Sequence, residues 1–165
     1  MALRLGEYAV ELVKAKLQTN MATRIAVINT DPALVPIDPP LVVPAAYYTS
    51  GLQSIPDAPA IIIAEGPSAF SEEGPHTLKL DPVEIGVWVL DQDPDRQILG
   101  KRLQRQTRAV IESLWDTAPL EQLDSKAYRI MPLRTQPGRV FDPEEKKDQW
   151  RGFYLTIFNV EQIEE

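Results

Sequence analysis

Three carboxylates at alternate positions, Asp91, Asp93 and Asp95, stand in the stretch VLDQDPDRQILGKRLQR. Alternating acids can hold a metal ion or share a proton, so their spacing is the first thing to test. A calcium loop of the helix–loop–helix type wants a glycine at its sixth position and a glutamate at its twelfth. Counted from Asp91, those positions are Arg96 and Arg102, and a cation cannot ligate calcium. The same residues match a helix start. Asp93 can cap orphan backbone N–H groups, Pro94 suits the first helical position, and Asp95 faces the positive end of the helix dipole. The aspartates therefore read as structural punctuation.

Other chemistries have less to work with. His76 is the one histidine, beside Glu72 and Glu73, with no second imidazole or thiol to complete a metal set or a dyad. There are no cysteines, which excludes disulfides, thiolate nucleophiles and cysteine zinc sites. Neither EGPSAF nor YTSGLQ has the spacing of a nucleophile elbow, and the eight glycines form no phosphate loop. No catalytic, cofactor or metal site is expected, and the chain does not read as an enzyme. Three groups of residues point instead to interaction. Lys101, Arg105 and Arg108 line one side of a helical stretch. They offer a face for phosphate or an acidic partner, or else a solvated helix back in which Arg108 pairs with Glu112 four residues on. Tyr47 and Tyr48, with Trp88, could line a pocket. Val140 and Phe141 sit at the centre of an otherwise polar loop.

The elements that must position these residues follow from periodicity. Leu5, Ala9, Leu12, Val13, Leu17, Met21, Ile25 and Ile28 recur at helical steps over 3–30, and Asp31-Pro32 ends that helix. Residues 31–59 hold seven of the fifteen prolines yet remain apolar, which predicts an extended arm lying over its own domain or a neighbouring subunit. AIIIAEG (60–66) reads as a short buried strand, SAFSEEGPH as a turn or loop, and 77–90 as a strand with alternating faces. A second helix is expected over 94–116, then a strand at 127–135 with Pro132 at an edge or bulge. A polar loop, TQPGRVFDPEEKKDQW, should follow, and then a closing strand, apolar on both faces and central in its sheet. The order is α, arm, β, β, α, β, β. It predicts an α+β fold, a four-stranded, mainly antiparallel or mixed sheet with two helices on one face.

Size and charge bound the rest. The chain of 165 residues suits one domain, 1–165, and its net charge of −7 makes phosphate-dominated nucleic-acid binding a poor fit. No segment has the length and apolarity of a membrane span, and MALRLGEYAVELVKAKL does not read as a signal peptide.

The whole-chain plan resembles the tail terminator or tail completion proteins of tailed bacteriophages. The resemblance rests on LGEYAVELVKAKL, the proline-rich arm with PAIIIAEG, HTLKLDPVEIGVWVLD, DRQILGKRLQRQTRAVIESLW and WRGFYLTIFNVEQ, in that order. It implies a non-enzymatic virion protein of the tail neck, forming a ring, typically hexameric, between the major tail tube protein and the head–tail connector. It also implies passage of DNA through the ring without sequence-specific binding, and assembly in the host cytoplasm. Another connector, head-closure or baseplate component is the alternative within that class. From a different class, a small ligand-binding domain or enzyme with an unrecognised site remains open.

Overall fold

The computed structural model describes residues 6–44, 46–49, 58–74, 77–115, 127–141 and 150–163. Helix α1 (Gly6–Asn29) leads into the arm, which contributes a short strand β1 (Ala46–Tyr48). Strands β2 (Ala60–Gly74) and β3 (Thr77–Asp93), helix α2 (Arg96–Leu114), and strands β4 (Ala127–Phe141) and β5 (Trp150–Ile163) follow. The sheet runs β1-β2-β3-β5-β4, with β1 parallel to β2 and every other pair antiparallel. This is the expected α+β arrangement with one strand more. The fifth strand comes from the arm, whose proline-free AYY is long enough to add to the free edge of β2.

Strand alternation fixes which residues meet the helices. On β3, Val83, Ile85, Val87 and Val89 are buried, while Glu84, Gly86 and Trp88 between them are half-buried. Opposite them, Ile61 and Ile63 of β2 and Phe158 and Val160 of β5 fall on the same covered face. Helix α1 brings Ala9, Val13, Leu17, Met21, Ile25 and Ile28 to this core, and α2 brings Leu99, Leu103, Val110 and Leu114. Leu5, expected in the α1 stripe, lies outside the described residues. Each large apolar side chain so buried contributes about 1.5–3 kcal/mol relative to exposure. The entry to α1 is held close to the sheet: the Glu65 carboxylate of β2 stands where a side chain on Gly6 would have to go. Its negative charge meets the positive end of the helix dipole.

Three expectations need correction. SAFSEEGPH does not form a loop up to residue 74: β2 continues to Gly74, paired with β3 through three register shifts, and 75–76 lie outside the described residues. Cross-strand pairing overrides the weak local propensity there. Likewise β4 runs on through QPGRVF to Phe141. It is an edge strand, so Pro132 and Pro137 need cost no ladder bonds, and a register shift at each accommodates them. Gly138 lies against the Phe153 carbonyl and ring too closely for any side chain, which explains a glycine at this irregularity. Residues 142–149 of that loop lie outside the described residues. The closing strand β5 is central, between β3 and β4, as expected.

The third correction concerns the start of α2. The N-cap is Asp95, whose Oδ1 accepts from the N–H groups of Gln97 at 2.8 Å and Ile98 at 3.4 Å. Asp93 is still in β3, paired with Trp150, so its backbone is committed to the sheet. Its Oδ1 accepts from the Asp95 N–H at 2.8 Å and shapes the turn into the cap.

Candidate functional site

Proline has no N–H, so a proline-rich arm is rich in carbonyl acceptors and poor in donors. Those carbonyls need partners once the arm lies on the domain. Arginine suits the need, with five donors and no acceptor, and α2 supplies three at helical steps. Arg102 Nη1 donates to the Pro39 carbonyl at 2.7 Å, and Arg105 Nη2 to the Val35 carbonyl at 2.6 Å. Arg108 Nη1 donates to Asp31 Oδ2 at 3.0 Å. The arm therefore runs antiparallel to α2, stepping from residue 108 to 105 to 102 as the chain goes from 31 to 35 to 39. Beyond Pro39 it turns back. Gln106 Nε2 donates to the Val42 carbonyl at 3.2 Å. Asn29, at the end of α1, brackets Leu41 by donating to its carbonyl and accepting from its N–H, both at 3.0 Å.

Electrostatics at the two ends of this seam differ. Asp31 is held below the ordinary carboxylate value, first by the Ala33 N–H it accepts and then by Arg108. Arg108 in turn is raised by its hydrogen bonds to Glu112 and Asp31. Asp91 is buried, 1% exposed, and its Oδ2 accepts from Arg102 Nε at 3.2 Å. Burial pushes its carboxyl up, against the opposing pull of Arg102 and of the Gln92 N–H. Arg102, itself 4% exposed, thus joins the core carboxylate to the arm.

With its carbonyls turned inward, the arm turns several apolar side chains outward. Leu41 is buried, and Leu34 and Ile37 pack against the core. Val35 is 67% exposed, Val42 52% and Val43 40%. An arm held only by burial would show the opposite orientation.

The structure sorts the residues singled out from sequence. Arg105 and Arg108 are both engaged within the subunit, Arg108 also with Glu112 at 2.8 Å. Lys101 is exposed and takes no part in the seam. Its place in the line is taken by Arg102. Both 101/105/108 and 102/105/108 fit a helical stripe, and only the position of the arm selects between them. Tyr47 packs against the core, where burial raises its phenol, while Tyr48 in the next position faces away from the helices. Trp88 is on Tyr48's side, so the three aromatics do not line one pocket. Val140 and Phe141 belong to β4, opposite Gly152 and Arg151. Arg102, Gln106 and Asn29 were not singled out from sequence. The signal that could have found Arg102 and Gln106 is the excess of proline-derived acceptors in the arm.

On the other flank of α2, Gln104, Thr107, Arg108, Ile111 and Glu112 face Thr135 and Tyr154 across an open groove of about 320 Å³. Thr107 Oγ1 is buried there without a hydrogen-bond partner among the described residues. No group of three or more acidic or histidine side chains among the described residues is placed to hold a metal ion. No described helix is long and apolar enough to cross a membrane.

No protein-family model and no curated protein matches the chain. Among solved structures it is similar to a chain of the virion of a native gene transfer agent (GTA) particle. The identity is 19% and the TM-score 0.41, over 90% of this chain and 97% of that one.

Proposed function

We propose that the protein is a structural component of a phage-type virion, working as a homo-oligomeric ring at the tail neck. The observation that carries this reading is the outward-turned arm: Val35, Val42 and Val43 are presented to solvent by an arm whose backbone is held at four residues and whose Asp31 side chain is held by Arg108. Exposed aliphatic residues on a fixed backbone are what a protein–protein contact requires, because little ordering entropy remains to be lost on binding. The ring, hexameric by the whole-chain resemblance, joins the major tail tube protein to the head–tail connector. Its acidic balance suits a channel through which DNA passes without sticking. The β4–β5 connection beyond Phe141 is the part assigned to the tube or connector.

Native mass spectrometry of the purified chain, alone and with isolated tail tubes, tests the reading. A closed ring in either setting is expected. A monomer in both, at high micromolar concentration, removes the neck role. A second reading, a small ligand-binding domain, rests on the groove beside Thr107. Saturable thermal stabilisation by a small molecule, abolished by Thr107→Val, would favour it.

A further inference from the structure

The sheet has helices on one face only, among the described elements. The other face is polar along β4, where Arg134 pairs with Ile157 and Gln136 with Leu155, but it carries an apolar row beside them. Tyr48, Ile62, Trp88 and Leu155 lie side by side in register across β1, β2, β3 and β5. Ile157 stands in the next row. The Trp88 indole lies against Gly86, where an added Cβ would stand 2.9 Å from two ring atoms. The row is an apolar shelf without a projecting side chain at position 86. All five are half-buried, and the Glu84 carboxylate follows on the same face two positions beyond Gly86. Glu84 makes no ion pair with any described residue.

The arm presents the complementary set. Val35, Val42 and Val43 are small, branched and outward, and the exposed Lys101 lies one helical turn from Arg105, which holds Val35. Lys101 likewise makes no ion pair with any described residue. The arm belongs to the helix layer and the shelf to the opposite side of the sheet, so one molecule cannot bring its own two surfaces together. Two copies can.

We propose that the arm of one copy docks its valines on the Tyr48–Ile62–Trp88–Leu155 shelf of the next, with Lys101 of the first copy meeting Glu84 of the second. This inference rests on the ring reading above and specifies its contact. The contact is heterologous, since each copy offers a different surface to each neighbour, and such a contact repeats into a ring or a filament. It assigns the basic residue left outside the seam to the boundary between subunits. It also places the apolar sheet face against protein and not against a channel.

Sedimentation velocity over a concentration series is the test. Val35→Asp with Val42→Asp alters only exposed side chains and should weaken association by about a hundredfold or more. Ile62→Asp should do the same from the shelf side. Mixing the two variants should yield a dimer and nothing larger, because one intact arm then meets one intact shelf. Should Ile62→Asp fail to fold by circular dichroism, Glu84→Lys takes its place. Glu84→Lys and Lys101→Glu should each weaken association about threefold to tenfold, and the two combined in one chain should restore it. A wild-type chain that stays monomeric overturns the ring reading and this contact with it. A wild-type oligomer unmoved by the arm and shelf variants leaves the ring reading standing and overturns the contact. A mixture that stays monomeric overturns the heterologous geometry.

Discussion

Where α1 meets the sheet, Leu17, Met21 and Ile28 share a core with Ile61, Ile63 and Val87, and those six side chains carry no hydrogen-bonding donor. Where the arm meets α2, hydrogen bonds from Arg102, Arg105, Gln106 and Arg108 hold the chain, and Val35, Val42 and Val43 face out while Leu34, Ile37 and Leu41 face in. The first seam is non-directional: area removed from water sets its strength, and which residues face which is secondary. The second is directional and weak per contact, since a typical hydrogen bond contributes about 0.5–1.5 kcal/mol net and one to a charged group about 1.5–3 kcal/mol. A directional seam can hold a segment in a chosen orientation even when that orientation exposes apolar surface.

The comparison is tested hardest where the two seams meet. Asp91→Ala leaves Arg102 buried without its carboxylate and should cost about 3–5 kcal/mol in chemical denaturation. A loss under about 1 kcal/mol would mean that the Pro39 carbonyl alone satisfies the guanidinium. Leu17→Ala strikes only the apolar seam. It should cost about 2–5 kcal/mol while leaving the hydrogen bonds along α2 intact, checked by the Arg side-chain NMR signals.

Smaller effects belong to the caps and the arm. Asp95→Ala should cost about 1 kcal/mol as the true N-cap, and Asp93→Ala less than that, because its carboxylate serves one turn N–H. Equal losses at both positions would undo that assignment. Asn29→Ala should leave global stability within about 0.5–1.5 kcal/mol of wild type. The Leu41 amide should nevertheless exchange much faster with deuterium, since Asn29 is its acceptor.

The smallest effect is on pH dependence, and the two carboxylates of the arm seam should move in opposite directions. Asp31 lies below its ordinary 3.8 when folded, so its contribution is present above the unfolded value and is lost as pH falls through the folded one. Asp91 is raised above 3.8, so its contribution is present below the unfolded value and is lost as pH rises through the folded one. Carboxyl carbon shifts followed by NMR should show Asp31 titrating first on the acid side of 3.8 and Asp91 on the other. The reverse order would break the contrast between a half-buried end and a fully buried one.

Much of the frame was legible in the residues. Ala9, Leu12, Val13, Leu17, Met21, Ile25 and Ile28 recur at helical spacing and are among the residues α1 buries. Val83, Ile85, Val87 and Val89 alternate and are the residues β3 buries. The apolar closing strand is central. Strand limits were less legible: β2 and β4 each extend well past where propensity stops, because a neighbouring strand supplies partners that local sequence does not encode. The candidate site was legible in part. The arm and the arginines were both visible, but not that each was the other's partner. The capping signal read at Asp93 was misplaced by two residues, because Asp93 pairs with Trp150 in the sheet and the cap falls to Asp95.

By itself the sequence determined the two helical stripes, the alternating strands, the lack of thiol chemistry and an arm too rich in proline for a helix or an internal strand. Each of these depends on neighbours close in the chain, where spacing maps directly to a face. Only the tertiary structure decided that Arg102 and not Lys101 belongs to the line that reads the arm. It also decided that Tyr47 and Tyr48 part to opposite faces of the sheet, and that the arm's valines look outward. Those outcomes depend on contacts such as Arg102 with Pro39 and Asp91, in which acceptors remote from each other in the chain share one guanidinium. No periodicity records such sharing; the packed geometry alone settles it.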